Sequence, residues 1–197
     1  GAIIGIALVA LIVILGIYGV SWNNATVTKS EGVQSQWANV ESSYQRRSDL
    51  IPNIVATAKQ YAEFEQETLT GVIEARAKAT SINVDASNLT AEQIQQFSEA
   101  QGAVSSGLGR LLATYENYPD LKANENFKEL INELERTENR INVERNRYNE
   151  NVRAYNLQIK KFPGTVFASI LGFDKSPYFQ ADEGAQNAPD VGNLFDN

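Results

Sequence analysis

The sequence predicts an all-α protein: an N-terminal transmembrane helix that continues into an elongated antiparallel helical bundle of three long helices plus a short C-terminal one. Three observations carry that reading. Residues 1–20, GAIIGIALVALIVILGIYGV, contain no charged side chain, and the first charge in the chain is Lys29. Beyond them, apolar residues recur at three- and four-residue steps through most of the chain, which is the period of a helix face. No stretch shows the strict alternation of a half-buried strand.

Twenty helical residues rise roughly 30 Å, about the hydrocarbon thickness of a bilayer. A soluble monomer does not tolerate so large an exposed apolar surface. The run is therefore expected either to span a membrane or to be buried among copies of itself in an assembly, and its length favours the membrane. Residues 1–22 form the expected anchor, with Ile3, Ile4, Leu8, Leu11, Ile14 and Leu15 toward lipid. Tyr18 and Trp22 stand at its end, where an interfacial aromatic belt belongs. Gly1, Gly5, Gly16 and Gly19 would let a neighbouring helix approach closely. Methionine is absent, so the chain is expected to be processed or to lack its first residues. Residues 21–45 carry one basic residue, Lys29. A flank so poor in Lys and Arg favours a single-pass topology with the helical domain extracytoplasmic.

All the charge lies in the rest of the chain, net −7 with both signs interspersed, which gives no basic face for nucleic acid. Cysteine and histidine are both absent. That removes the thiolate nucleophile, the commonest general base and the commonest transition-metal ligands. No phosphate-cradling loop or nucleophile elbow occurs. No cofactor and no enzymatic activity are expected.

Taken in order, the segment from Val27 to about Thr80 reads as one helix, with Val33, Trp37, Val40, Tyr44, Ile51, Ile54, Val55, Ala58 and Tyr61 on its apolar face. Pro52 either kinks it or restarts it with Ser48 or Asp49 as N-cap. The apolar phase runs on through the proline, which favours one kinked helix. Residues 81–90 are a loop, and Thr90 with Gln93 forms a capping box for a second helix from Ala91 to about Asn117. Gly102, Gly107 and Gly109 inside that helix point to close packing or a local kink. Tyr118-Pro119 stops it, and Asn124 can cap the third helix. There Phe127, Leu130, Leu134, Thr137, Ile141, Glu144, Tyr148, Val152, Tyr155, Ile159 and Phe162 step by three and four as a coiled-coil-like heptad seam. Pro163-Gly164 ends it, a short apolar segment TVFASILGF follows, and residues 180–197 read as a flexible acidic tail. The expected domains are thus the anchor at 1–22, a helical bundle at 23–179 and the tail.

Three blocks now in view, RRSDLIPNIVATAKQYAEFEQETLTGVIEARA at 46–77, GRLLATYENYPDLKANENFKELINELERTENRINVERNRYNENVRAYNLQIKKFP at 109–163 and LGFDKSPYF at 171–179, resemble the LemA family of bacterial membrane-anchored proteins. The resemblance covers essentially the whole chain and is highly specific. It implies a long helical bundle on one N-terminal membrane segment of a bacterial envelope, and it implies no particular activity.

Two clusters are candidate interaction surfaces. Arg46, Arg47 and Asp49 flank Pro52, either as a docking surface or as ion-pairing and capping residues, the latter favoured. Phe167, Ile170, Leu171 and Phe173 either close the bundle core as a lid or expose a greasy face to a bilayer or a second subunit. Glu63 with Glu67, Glu125 with Glu129 and Glu135 with Glu138 read as solvated faces, since a di-metal bundle site wants histidine as well. Glu144 falls on the apolar seam and is expected to pair with Arg76 or Arg110. The function expected is a membrane-anchored, self-associating scaffold whose partners are membrane lipid, copies of itself and other envelope proteins. The alternative is a structural subunit of a polymer or cage whose N-terminal helices form a shared hydrophobic core. Against a pilin-type version of that alternative stands Gly5, where such subunits carry a glutamate.

Overall fold

The structure is a computed structural model, described over residues 1–61 and 65–180. The apolar run and the first amphipathic segment form one helix, α1 (Ala2–Ala58), of 57 residues. At the helical rise this rod is about 85 Å long. It passes through Pro52 without interruption. The proline ring removes the N–H that would have bonded the carbonyl of Ser48. Arg76 restores that bond from outside the helix, its Nε donating to the Ser48 carbonyl at 2.7 Å.

The long first helix does not run to Thr80 as its periodicity suggests. It ends at Ala58, the chain turns through Lys59 and Gln60, and a separate helix α2 (Gln66–Thr80) runs back along it. The cause is tertiary. A straight continuation would carry Leu69 and Val72 past the end of the bundle, whereas the turned-back helix buries both against Ile54, Val55, Val104 and Leu108. The fold is therefore all-α, as predicted, with the first amphipathic stretch divided in two.

A capping box starts α3 (Ala91–Tyr115): Thr90 Oγ1 accepts from the Gln93 N–H, and Gln93 Oε1 accepts from the Thr90 N–H. Next, the expected turn contains a one-turn helix, α4 (Pro119–Ala123), with proline at its start, where its missing N–H costs nothing. Asn124 then caps α5 (Glu125–Lys160), Oδ1 accepting from the Phe127 N–H at 2.9 Å. The seam of α5 is buried from Phe127 to Ile159, except that Ile131 is buried in place of the expected Leu130, which is only partly covered. Phe162 departs from it and is 83% exposed, because the chain has already turned into α6 (Gly164–Leu171).

Helix α5 lies antiparallel along α1, and α3 packs mainly on α2. The core falls into two parts. One, far from the N-terminus, gathers Ile51, Ile54, Val72, Leu108, Leu111, Phe127 and Leu134. The other gathers Trp22, Trp37, Val40, Phe97, Ile141, Tyr148, Val152 and Ile159 on the anchor side.

Candidate membrane interface

Six of the expected anchor residues lie on the first part of α1, which nothing in the described chain covers. Ile3, Ile4, Leu8, Leu11, Ile14 and Leu15 are all exposed, from 51% at Leu11 to 84% at Ile3. The apolar window of α1 is long enough to cross a bilayer and none of it is buried within the protein. A Cβ added at Gly1, Gly5 or Gly16 would meet open space. Tyr18 is half-exposed at the end of this stretch.

Trp22 differs from expectation. It is buried, not displayed in an outward belt, because α6 folds over it. The Phe167 ring stacks on Trp22 with centroids 5.5 Å apart and tilts against Tyr18 at 5.8 Å. Phe173 meets the same indole edge-on at 5.8 Å. Gly164 allows this closeness, since a Cβ there would run into the Gln158 carbonyl and approach Trp22 Nε1 at 2.8 Å. Gly172, at φ +74°, ends α6 in the left-handed conformation that glycine adopts freely. The predicted patch thus divides. Phe167 and Phe173 turn inward, while Ile170 (73% exposed) and Leu171 point outward together with Val166, which the sequence places in the same apolar segment, and with Phe162, which it assigns to the α5 seam.

The arginine cluster divides too. Arg47 is not a surface residue: it is 1% exposed. Its Nη1 donates to Ser105 Oγ at 2.6 Å and Glu138 Oε1 at 2.8 Å, and Nη2 donates to the Gln101 carbonyl and Oε1 at 3.0 and 2.7 Å. The guanidinium carbon stands 5.0 Å over the Tyr44 ring. One side chain therefore ties α1 to α3 and α5, at the level where one core cluster gives way to the other. Sequence could have found it, since Arg47 lies three residues after Tyr44 and four before Ile51 on the buried stripe. Arg46 is exposed and pairs across helices with Glu133, Nε to Oε1 at 3.0 Å. That hydrogen bond is the main cause holding the Glu133 carboxyl below its ordinary pKa. Asp49 caps nothing, because the helix is continuous there; its Oδ1 accepts from Gln45 Nε2 at 2.7 Å.

Glu144 is buried, but its partners are not Arg76 or Arg110. Oε2 accepts from Gln36 Nε2 at 2.6 Å and Oε1 from Arg147 Nη1 at 3.2 Å. The heptad-spaced Tyr148, Asn149, Tyr155 and Asn156 do more than pack. Asn156 donates to the Ser176 carbonyl and accepts from its N–H, and Asn149 treats Phe179 in the same way. Tyr155 and Tyr148 donate to the carbonyls of Asp174 and Pro177. Burial raises the pKa of both phenols, with the Asp174 charge adding to the effect at Tyr155. Residues 174–180 are thereby strapped along α5, and Phe179 is buried face to face on Trp37 at 5.5 Å. The expected tail loses its first residue to this strap, as Arg145 Nη2 donates to the Gln180 carbonyl at 3.0 Å. Residues 181–197, and Glu63 among the carboxylate pairs, lie outside the described residues. Of the other carboxylates, Glu125 pairs with Lys128 and Glu138 with Arg47. Among the described residues no group of three or more acidic side chains converges as a metal site would.

Comparison with known proteins finds relatives over most of the chain. The chain is 29% identical over 174 residues to magnetosome protein MamQ 2 of Paramagnetospirillum magneticum, covering 80% of this chain and 64% of that one. It is 28% identical over 175 residues to magnetosome protein MamQ of Magnetospirillum gryphiswaldense, covering 79% and 64%. Protein LemA of Metamycoplasma hominis is 25% identical over 160 residues, covering 81% and 69%. The match thus spans less than two thirds of the length of the MamQ relatives. The family and the bare apolar helix together fit a membrane-associated helical protein. The LemA family model matches residues 36–192, the greater part of the bundle and well over half of the sequence, and the chain belongs to the LemA family.

Proposed function

We propose that this protein is a non-enzymatic, membrane-anchored helical scaffold that associates with copies of itself and with other proteins of the bacterial envelope. The observation that carries the reading is the continuity of α1, whose first part is bare and apolar and whose remainder is the spine of the bundle. Spanning a bilayer once would cover the bare part, and the low basic content of residues 21–45 favours the extracytoplasmic side for the bundle. The absence of histidine and cysteine from the sequence supports a role without catalysis. Two relatives are named for the magnetosome, which supports a part in building a cellular structure.

The test is the oligomeric state of the intact protein in native-lipid discs. A defined oligomer, with crosslinks between copies in the membrane of origin, is the expected result. A monomer that crosslinks to nothing refutes the scaffold. The uncovered glycines Gly1, Gly5 and Gly16, all on one side of α1, favour a second reading, in which anchors pack together as the shared core of a polymer or cage. Electron microscopy of detergent-free material separates the two: regular polymers support the second, scattered protein in vesicles the first.

A further inference from the structure

We propose that α6 is a second membrane contact, a short helix lying in the headgroup region of the same bilayer that α1 spans. The proposal rests on the anchor reading and adds a site to it. Residues 2–20 of α1 rise about 28 Å, close to one hydrocarbon thickness, so Tyr18 and Gly19 stand at its boundary. The structure places α6 against those residues. The Phe167 ring packs on Tyr18, and a Cβ at Gly19 would meet that ring at 3.2 Å. A helix in contact with the anchor at its boundary lies at the bilayer surface.

The residues α6 turns away from the protein suit that position. Val166 and Ile170, spaced by four on α6, form one ridge, exposed by 48% and 73%, and Phe162, in the turn before the helix, is exposed by 83%. Leu171 continues it at 49%. In water this ridge would be a costly apolar patch. Residues 162–173 carry no charge, while Lys160 and Lys161 precede them and Asp174 and Lys175 follow. Lys29 and Lys161 share with Tyr18, Trp22 and Phe162 the walls of an open cavity of about 440 Å³ beside the ridge. Lys161, next to Phe162, can reach lipid phosphates while its stem lies along apolar surface. Helix α6 is held to its level by the stacked Phe167 and the edge-on Phe173 against Trp22, so the ridge approaches the bilayer at the level of that indole.

The chain has no cysteine, so single-site labelling is unambiguous. Full-length Ile170→Cys, Leu11→Cys and Ser106→Cys, each carrying an environment-sensitive fluorophore, are reconstituted into phosphatidylethanolamine–phosphatidylglycerol vesicles. The expected result at position 170 is a blue-shifted emission quenched by brominated lipid and shielded from aqueous iodide. Position 11 should behave alike, while position 106, exposed on α3, should show the reverse. If position 11 is quenched by brominated lipid and position 170 only by iodide, the anchor stands and the α6 contact is overturned. Shielding of position 170 from both quenchers means that a second copy covers the ridge, which also overturns it. Failure of brominated lipid to reach position 11 overturns the anchor reading and the α6 contact with it.

Discussion

Arg46 and Arg47 are adjacent, chemically identical and differently used, which shows how much a single step of helical phase decides. Arg46 makes a solvated pair with Glu133, of the kind worth little at a surface. Arg47 is enclosed and its planar fork serves acceptors from three residues on two helices, a geometry that a lysine ammonium cannot reproduce. Arg47→Ala should therefore lower stability by about 2–4 kcal/mol, and Arg47→Lys should recover only a minor part. Arg46→Ala should change it by less than about 1 kcal/mol. Thermal unfolding followed by circular dichroism in mild detergent reads all three. Arg76 allows a sharper test, because its role depends on Pro52. Removing it by Arg76→Ala leaves the Ser48 carbonyl without a partner, at a cost of about 1–3 kcal/mol. Pro52→Ala returns an N–H to that same carbonyl. In a double-mutant cycle the loss on Arg76→Ala should shrink by about 1 kcal/mol or more once position 52 is alanine. Additivity would show that Arg76 acts elsewhere.

Among the elements, glycines separate helices that are merely weakened from helices that need the space. A Cβ added at Gly102 or Gly109 would meet nothing within 4 Å, so alanine there should stabilise by about 1 kcal/mol each. At Gly164 a Cβ would collide with the Gln158 carbonyl and crowd Trp22. Gly164→Ala should destabilise by about 1–3 kcal/mol and shift tryptophan emission as α6 is pushed off Trp22. Denaturation midpoints and emission spectra of the three variants check this. The same contrast explains what could be read in advance. The capping box at Thr90, the Asn124 cap and the α5 seam are local signals, complete within a few turns, and each is found in place. The end of α1 at Ala58 carries no such signal, since AKQYAEF has neither proline nor glycine and suits a helix. Burial of Leu69 and Val72 on distant helices decides it. In the same way the grip of Asn149 and Asn156 on residues 174–180 joins side chains to backbone across 20 and 30 positions, where no spacing rule reaches. The α6 surface is half legible in the sequence: its apolar residues are evident, but only the contacts with Trp22 reveal which of them turn inward.

For the whole molecule, α1 matters as a single rod. Each residue of a helix turns the chain by about 100° and advances it by about 1.5 Å. Nothing between the bare segment and the bundle absorbs a rotation, because α1 has no break before Ala58 and α6 clasps it at Tyr18 and Trp22. The direction in which Gly1 and Gly5 face is therefore geared to the direction in which the bundle faces. One residue inserted near Ile14 would swing the anchor by about 100° against the bundle, yet leave every contact of the bundle intact. Seven inserted residues would return it to within about 20°, at the cost of about 10 Å of added length. An assembly built through both the anchor and the bundle would be lost in the first case and keep its handedness in the second. In such an assembly the rod would set an angle between neighbours as well as a height above the bilayer, with no hinge to correct an error.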